Sequence, residues 1–163
     1  MKKRQKGVAL VEFAITISLL LATCFAVTEF GRAIYTYNTL TKSVRDAARY
    51  LSTQAAGSAA AHATAQQLVV YGTPVVTNNQ PTLVPGLTTS MVGICDAADV
   101  TCTSNMGQGS NPAINTVTVR ISGYTFTPLL DILGFTRFYT GGSSSLTSIS
   151  FSDISATMRQ AYE

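Results

Sequence analysis

The sequence has few of the residues that enzymes use for catalysis at neutral pH. Its 163 residues include one histidine, three cysteines and no tryptophan, and 12% are charged, about half the share usual in soluble globular proteins. No serine lies in a Gly-x-Ser-x-Gly elbow, and no Gly-x-x-x-x-Gly-Lys-Ser/Thr loop is present, which excludes hydrolases of those two kinds. We therefore predict that the protein is not an enzyme and has no cofactor and no small-molecule substrate.

Positive charge is concentrated at the N-terminus. Four of the eleven basic residues precede Gly7: Lys2, Lys3, Arg4 and Lys6. The remainder of the chain is therefore close to neutral. A nucleic-acid-binding protein needs a basic face, and no nucleic-acid partner is predicted. Basic residues in front of an apolar run instead stay on the cytoplasmic side of a membrane, which sends the rest of the chain outward.

The apolar run Val8–Val27 is interrupted by one charged residue, Glu12. A membrane-spanning helix needs roughly 20 mainly apolar residues, which this run supplies. A carboxylate costs about 2.5–3.5 kcal/mol near a bilayer centre and less near an interface. Either Glu12 pairs with a cation, such as the amine of Val8 after cleavage behind Gly7, or its side chain reaches the headgroups.

The N-terminal residues resemble a class III prepilin signal, with a basic leader, Gly7 and an apolar run whose fifth residue is glutamate. More narrowly, GVALVEFA at 7–14 and TEFGRAIYTYNTLTKSVRDAARYLST at 28–53 resemble the TadE-like family of tight-adherence pilus systems. The motif residues of the resemblance are Gly7, Val8, Glu12, Phe13, Glu29, Phe30, Gly31 and Arg32.

The resemblance implies a minor pilin or pseudopilin in the bacterial inner membrane. A prepilin peptidase would cut between Gly7 and Val8, and Glu12 would serve assembly with other pilins and pilus assembly proteins. The N-terminus would be cytoplasmic and the C-terminal domain extracytoplasmic.

Three other interpretations of the N-terminal segment remain open. A cleaved secretory signal would have Glu12 inside its apolar region and lacks a clean Ala-x-Ala site. A lipoprotein would use Leu21-Ala22-Thr23-Cys24, where Thr23 departs from the usual small residue before the cysteine. A single-span membrane-anchored binding module would keep the whole segment and join no filament.

Beyond the membrane segment, residues 31–72 have helical periodicity. Apolar residues recur three or four apart, which is typical of one helix face: Phe30, Ile34, Tyr37, Leu40, Val44, Ala48 and Leu51. We expect a break near Gly57-Ser58, because glycine costs helix stability, and an end at Gly72. Glu29 and Arg32 are expected to form an ion pair at the membrane surface, where Gly31 would allow close helix approach.

The remaining residues, 73–163, predict a small β-rich domain. Alternating apolar residues indicate a strand within 115–126 and a second within 146–158, which we expect to pair antiparallel. The apolar residues of 128–142 are expected to cover the sheet or to contact a partner. The predicted fold class is α+β, with a leader at 1–7, a transmembrane helix at 8–30 and an amphipathic helix at 31–72.

Cys95 and Cys102 lie in the polar half of the chain, with six residues between them. In an oxidising compartment we expect them to form a disulfide, which would stabilise the domain by about 2–3 kcal/mol. No metal site is predicted, since metal centres need more ligands at short spacing. Asp96 and Asp99 between the cysteines are interpreted as solvated loop residues, with weak calcium binding as the alternative.

Overall fold

The computed structural model describes residues 5–105, 107, 114–129 and 148–161. The predicted α+β class is confirmed, with two α-helices, a three-stranded antiparallel sheet and a two-stranded sheet in these residues. The chain divides into two compact units. One comprises Met1–Ile34 and Thr127–Ile149, and the other comprises Tyr35–Phe126 and Ser150–Glu163.

Helix α1 spans Gln5–Ser52. Among the described residues, the part of α1 from Gly7 to Ser52 is the one helical segment that is long and apolar enough to cross a membrane. Its most apolar stretch of 18 residues is not buried at all. The large side chains there face outward, as at Val8, Phe13 and Leu19, which are 66–69% exposed. A signal sequence passes the same test of length and composition.

Helix α1 ends before the position where the sequence predicts a break. Gly57 has a φ of +74°, a conformation that costs glycine little. Ser58 then caps helix α2, which spans Ala59–Tyr71, by accepting the Ala61 N–H. Residues 31–72 therefore contain two helices instead of one continuous helix. The Ser52 carbonyl, left free at the end of α1, accepts the N–H of Ala161.

Helix α2 ends at Gly72, as the sequence predicts. Gly72 has a φ of +74°, and its N–H donates to the Leu68 carbonyl. This left-handed glycine is a common helix C-terminus. Leu83 Cδ2 lies 3.0 Å from the position that a Cβ at Gly72 would take, so both backbone conformation and space favour glycine.

The core of the second unit is formed by residues 35–52, which we call the upper part of α1, by α2 and by the three-stranded sheet. Its most buried residues are 0–2% exposed: Leu40, Val44, Ala47, Ala48, Leu51, Ala65, Val69, Val70, Leu87, Val117, Val119 and Ile121. The helical stripe predicted from the sequence is thus buried only from Leu40 onward. Phe30, Ile34 and Tyr37 are 44–69% exposed.

The main sheet has the order β1-β2-β5, with all strands antiparallel. Strand β1 spans Val92–Cys95, β2 spans Thr116–Ile121 and β5 spans Ile154–Arg159. The antiparallel pairing expected between the two predicted strands corresponds to β2 and β5, where Val119 lies opposite Ala156. Strand β1 was not predicted, because four residues that include Gly93 are too few to show a period.

Each predicted strand is divided in the structure. Strand β3, at Thr125–Phe126, follows a turn in which Gly123 has a φ of +72°, and β4, at Ile149–Ser150, precedes β5. Strands β3 and β4 form the second sheet. The Phe151 ring after β4 packs against the rings of Tyr37, Tyr124 and Phe126, with centroids 5.7–6.2 Å away. Of the apolar segment 128–142, residues 130–142 lie outside the described residues.

Candidate functional site

The residues of the prepilin-like motif lie on the exposed surface of α1. Val8 and Phe13 are 69% and 66% exposed, and Glu12 is exposed one turn after Val8. The Glu12 carbonyl accepts the Thr16 hydroxyl at 2.8 Å. Within the part of the chain that the structure describes, the Glu12 carboxylate has no hydrogen bond or ion pair. It is therefore available to a group on another molecule or to a new N-terminus.

The two motif glycines have open space around them. A Cβ placed at Gly7 or at Gly31 would meet no atom within 4 Å outside its own helical surroundings. Neither position has a left-handed φ. Glycine in a helix costs about 1 kcal/mol relative to alanine, and no contact with the described residues favours glycine at these two positions.

Glu29 and Arg32 lie one turn apart on α1 and form the ion pair that the sequence suggests. Both Glu29 oxygens accept from Arg32 Nη1, at 2.9 and 2.7 Å. The Glu29 side chain is 7% exposed, and its Oε2 also accepts the Leu129 N–H at 3.3 Å. The contact with Leu129 was not predicted, because no local pattern links residues 100 positions apart. Glu29 thus holds a later segment of its own unit.

The cysteine loop, residues 95–102, makes polar contacts with other segments of the second unit. A disulfide joins Cys95 at the end of β1 to Cys102. Asp96, which directly follows Cys95, is 2% exposed. Its Oδ2 accepts the Gly57 N–H at 2.7 Å and lies 2.8 Å from His62 Nε2, while its Oδ1 accepts the Ala98 N–H at 3.1 Å.

The interpretation of Asp96 as a solvated loop residue is wrong. Burial raises the pKa of its carboxyl, but the hydrogen bonds from the Gly57 N–H, the His62 ring and the Ala98 N–H outweigh burial and hold its pKa below the ordinary value. A hydrogen-bonded carboxylate favours its charged form in this way. Asp96 therefore joins the cysteine loop to the helical break and to α2.

Asp99 is bonded within its own loop. The hydroxyl and the N–H of Thr101 both donate to Asp99 Oδ1, and together they hold the pKa of this carboxyl below its ordinary value. Ligand atoms of Cys95, Asp99 and Cys102 lie within 4.8 Å of one another, a spacing that suits a metal ion. Cysteine binds zinc as a thiolate, and the disulfide withholds both sulfurs, so oxidised cysteines do not form such a centre.

Asn105 joins the cysteine loop to the sheet. It is 4% exposed, and its Nδ2 donates to Thr118 Oγ1, the Cys95 carbonyl and the Thr116 carbonyl at 2.9, 3.0 and 3.3 Å. Two of these partners only accept hydrogen bonds, which fixes the orientation of the amide. Sequence analysis did not single out Asn105, because a lone asparagine in a polar loop has no distinguishing pattern.

A groove of about 490 Å³ lies beside the upper part of α1 in the second unit. Its walls include charged and polar residues from α1 and apolar residues from α2 and the following loop: Tyr35, Asn38, Thr39, Lys42, Ser43, Asp46, Leu68, Gly72 and Leu83. Lys42 and Asp46 have opposite charges one turn apart. The described residues that line the groove include no histidine or cysteine, and their composition does not indicate a nucleophile with an adjacent base.

Asp153 forms an ion pair with Arg120 on the surface of the second unit. Its Oδ2 lies 3.7 Å from Arg120 Nη1, and both side chains are more than half exposed. A surface ion pair of this kind contributes little stability.

The family comparison locates a relationship at the N-terminus. Residues 7–49 match the family model described as TadE-like protein, which covers about a quarter of the chain. No curated protein and no solved structure significantly matches the chain. Members of this family are structural components of pili, and the match supports an association of this protein with Tad pili. The apolar part of α1 is compatible with single-pass membrane anchoring.

Proposed function

We propose, with the TadE-like N-terminal segment as premise, that this protein is a minor pilin or pseudopilin of a tight-adherence pilus. One coincidence carries the proposal. The family match at 7–49 falls on a helix whose apolar part is unburied and which carries the carboxylate of Glu12 on its exposed surface. Such a helix could lie in the lipid bilayer before assembly and pack against the helices of other subunits after assembly.

Processing by a prepilin peptidase between Gly7 and Val8 is the first part of the proposed role. Among the described residues nothing favours glycine at position 7, since a Cβ there would meet none of their atoms within 4 Å. A peptidase that approaches the backbone closely supplies a reason for glycine. The cut would remove the leader, which contains Lys2, Lys3, Arg4 and Lys6, and would leave the Val8 amine at the new terminus.

Assembly through Glu12 is the second part. A carboxylate inside a bilayer is costly unless it has a partner, and the amine of Val8 is positively charged near neutral pH. Within one chain these groups lie four residues apart, which is about one turn of helix. Between chains, the same attraction would set the stagger of a newly added subunit relative to the one before it.

The topology follows from the leader. Basic residues ahead of the apolar segment stay cytoplasmic, so the second unit would face the extracytoplasmic side of the bacterial inner membrane. The ion pair of Glu29 with Arg32 would lie at the outer interface. The partners would be the membrane, the prepilin peptidase, other pilins and pilus assembly proteins.

The N-terminal sequence and the intact mass of the protein from its native membranes test the processing step. A start at Val8 supports cleavage by the peptidase. A start at Met1 would favour the single-span binding module. A start at a lipidated Cys24 would make the protein a lipoprotein and discard Glu12, although Cys24 lies within α1 as a free, exposed thiol.

Substitution of Glu12 tests the assembly step. We expect Glu12→Leu to abolish piliation while the protein still enters the membrane, because the cation-binding group is lost and the apolar segment becomes more continuous. Thr16→Val is the matched control, since Thr16 is a neighbouring exposed residue of α1 whose hydroxyl bonds only to its own helix. Normal piliation by the Glu12→Leu variant, measured by electron microscopy of cells, would remove Glu12 from assembly.

A further inference from the structure

Three segments of the second unit meet at the carboxylate of Asp96. The linker after α1 contributes the Gly57 N–H, and α2 contributes the ring of His62. The cysteine loop contributes Asp96 itself and the Ala98 N–H. The linker and the loop also touch, since Ala98 Cβ lies 3.0 Å from the position of a Cβ at Gly57. We name these three segments, with Asp96 at their centre, the clasp.

The disulfide closes the segment that presents Asp96. The loop from Cys95 to Cys102 turns back through backbone bonds from the Asp99 N–H to the Asp96 carbonyl and from the Cys102 N–H to the Asp99 carbonyl. A short loop closed by a covalent bond has few alternative conformations. The carboxylate is therefore held in place by a neighbouring bond that depends on the redox state.

We propose that the clasp is redox-controlled: oxidation of Cys95 and Cys102 places Asp96 against Gly57 and His62 and thereby fixes the break between α1 and α2. In the reduced chain the loop is open, the carboxylate is not held at the linker, and the break can change its angle. The second unit would then become rigid only in an oxidising compartment, in which the disulfide can form.

The chemical step needs a disulfide donor, such as a dithiol–disulfide oxidoreductase or a small-molecule disulfide. The thiolate of one cysteine attacks a sulfur of the donor, and the second cysteine attacks the mixed disulfide. The two protein thiols lose two protons and two electrons. The donor accepts both electrons, and its own disulfide is reduced to two thiols.

Hydrogen exchange of the full-length protein in detergent micelles tests the clasp. The exchange rate of the Gly57 amide would be measured by NMR before and after reduction with a phosphine. We expect exchange to be about tenfold faster in the reduced protein, a ratio that corresponds to ~1.4 kcal/mol, because the bond to a charged acceptor is lost. His62 is the single histidine of the chain, and its ring signals should move on reduction.

Variants separate the clasp from the general stabilising effect of a disulfide. Asp96→Ala should speed Gly57 exchange to a similar degree in the oxidised protein and add little in the reduced protein. Asp99→Ala is the matched control, because the Asp99 carboxylate bonds within its own loop, and it should leave Gly57 protected. If Asp96→Ala does not fold, the wild-type protein decides the question by comparison of amides: faster exchange on reduction at Gly57 but not in β2 and β5 supports the clasp, and an equal increase in β2 and β5 contradicts it.

Two results would overturn the proposal. Gly57 could remain protected in the reduced protein, which would mean that the disulfide does not position Asp96. Alternatively, Asp96→Ala could have its full effect in the reduced protein, which would mean that the carboxylate holds the linker without help from the loop.

Discussion

The amide of Asn105 provides the sharpest test of how the cysteine loop is attached to the sheet. Its Nδ2 faces the carbonyls of Cys95 and Thr116 and the hydroxyl of Thr118, and the residue is 4% exposed. Asn105→Asp keeps the size and shape of the side chain but replaces the donor with an oxygen. Since the two carbonyls only accept hydrogen bonds, the new carboxylate would face them without a proton to share.

The expected loss of stability follows from these contacts. The NH₂ group has two hydrogens, so two hydrogen bonds of about 1 kcal/mol each disappear. The buried oxygen atoms left without a donor add on the order of 1–3 kcal/mol. We therefore expect Asn105→Asp to lower the free energy of unfolding by at least ~3 kcal/mol at pH 7, a change of more than about 100-fold in the unfolding equilibrium.

Hydrogen exchange of the amides of β1 and β2 in the full-length protein measures this loss without a contribution from the membrane helix. Asn78→Asp, the same substitution at an exposed turn position, should change stability by less than about 0.5 kcal/mol. The loss should be smaller near pH 3, because a protonated carboxyl regains one donor. A loss below about 1 kcal/mol at pH 7, or one independent of pH, would refute this account of Asn105.

Two further predictions concern acid and backbone conformation. The pKa of Asp96 is lowered in the folded protein, so its carboxylate stabilises the fold above its unfolded pKa, and this contribution is lost as pH falls below that value and through the lowered folded pKa. The melting temperature of Asp96→Asn should therefore fall less steeply with acid than that of wild type, and equal slopes would contradict the expected direction. Gly72→Ala and Gly86→Ala both place alanine at a positive φ, but only the first meets a neighbour, Leu83. Each variant should lose about 1–2 kcal/mol of folding free energy, and Gly72→Ala should lose a further ~0.5–1.5 kcal/mol if Leu83 leaves its rotamer. Equal melting temperatures of the two variants would show that Leu83 moves aside without cost.

Local sequence patterns were sufficient wherever the structure depends on neighbours in the chain. The apolar run that begins at Val8 predicts the exposed helix, since its length and composition suit a bilayer irrespective of the rest of the fold. Gly57 and Gly72 predict the interruption and the end of the helices, because a left-handed conformation is a property of one residue. Alternation of Val117, Val119 and Ile121 predicts β2 for the same reason.

Long-range contacts were not accessible in this way. Nothing near Asp96 in the sequence indicates that Gly57 and His62, more than 30 residues earlier, will surround it. The stripe on α1 is periodic from Phe30 onward, yet only the residues from Leu40 are buried, because periodicity shows which face is apolar and not where a partner covers it.

The sequence by itself determined the membrane-like helix, the TadE-like motif with Glu12 and the α+β class. These features depend on composition and spacing over at most a few helical turns. Only the tertiary structure decided that Asp96 is buried in the clasp, that Asn105 joins the loop to the sheet and that Glu29 holds Leu129. Such contacts arise when distant segments lose water together, and the free energy of that burial is a property of the assembled fold.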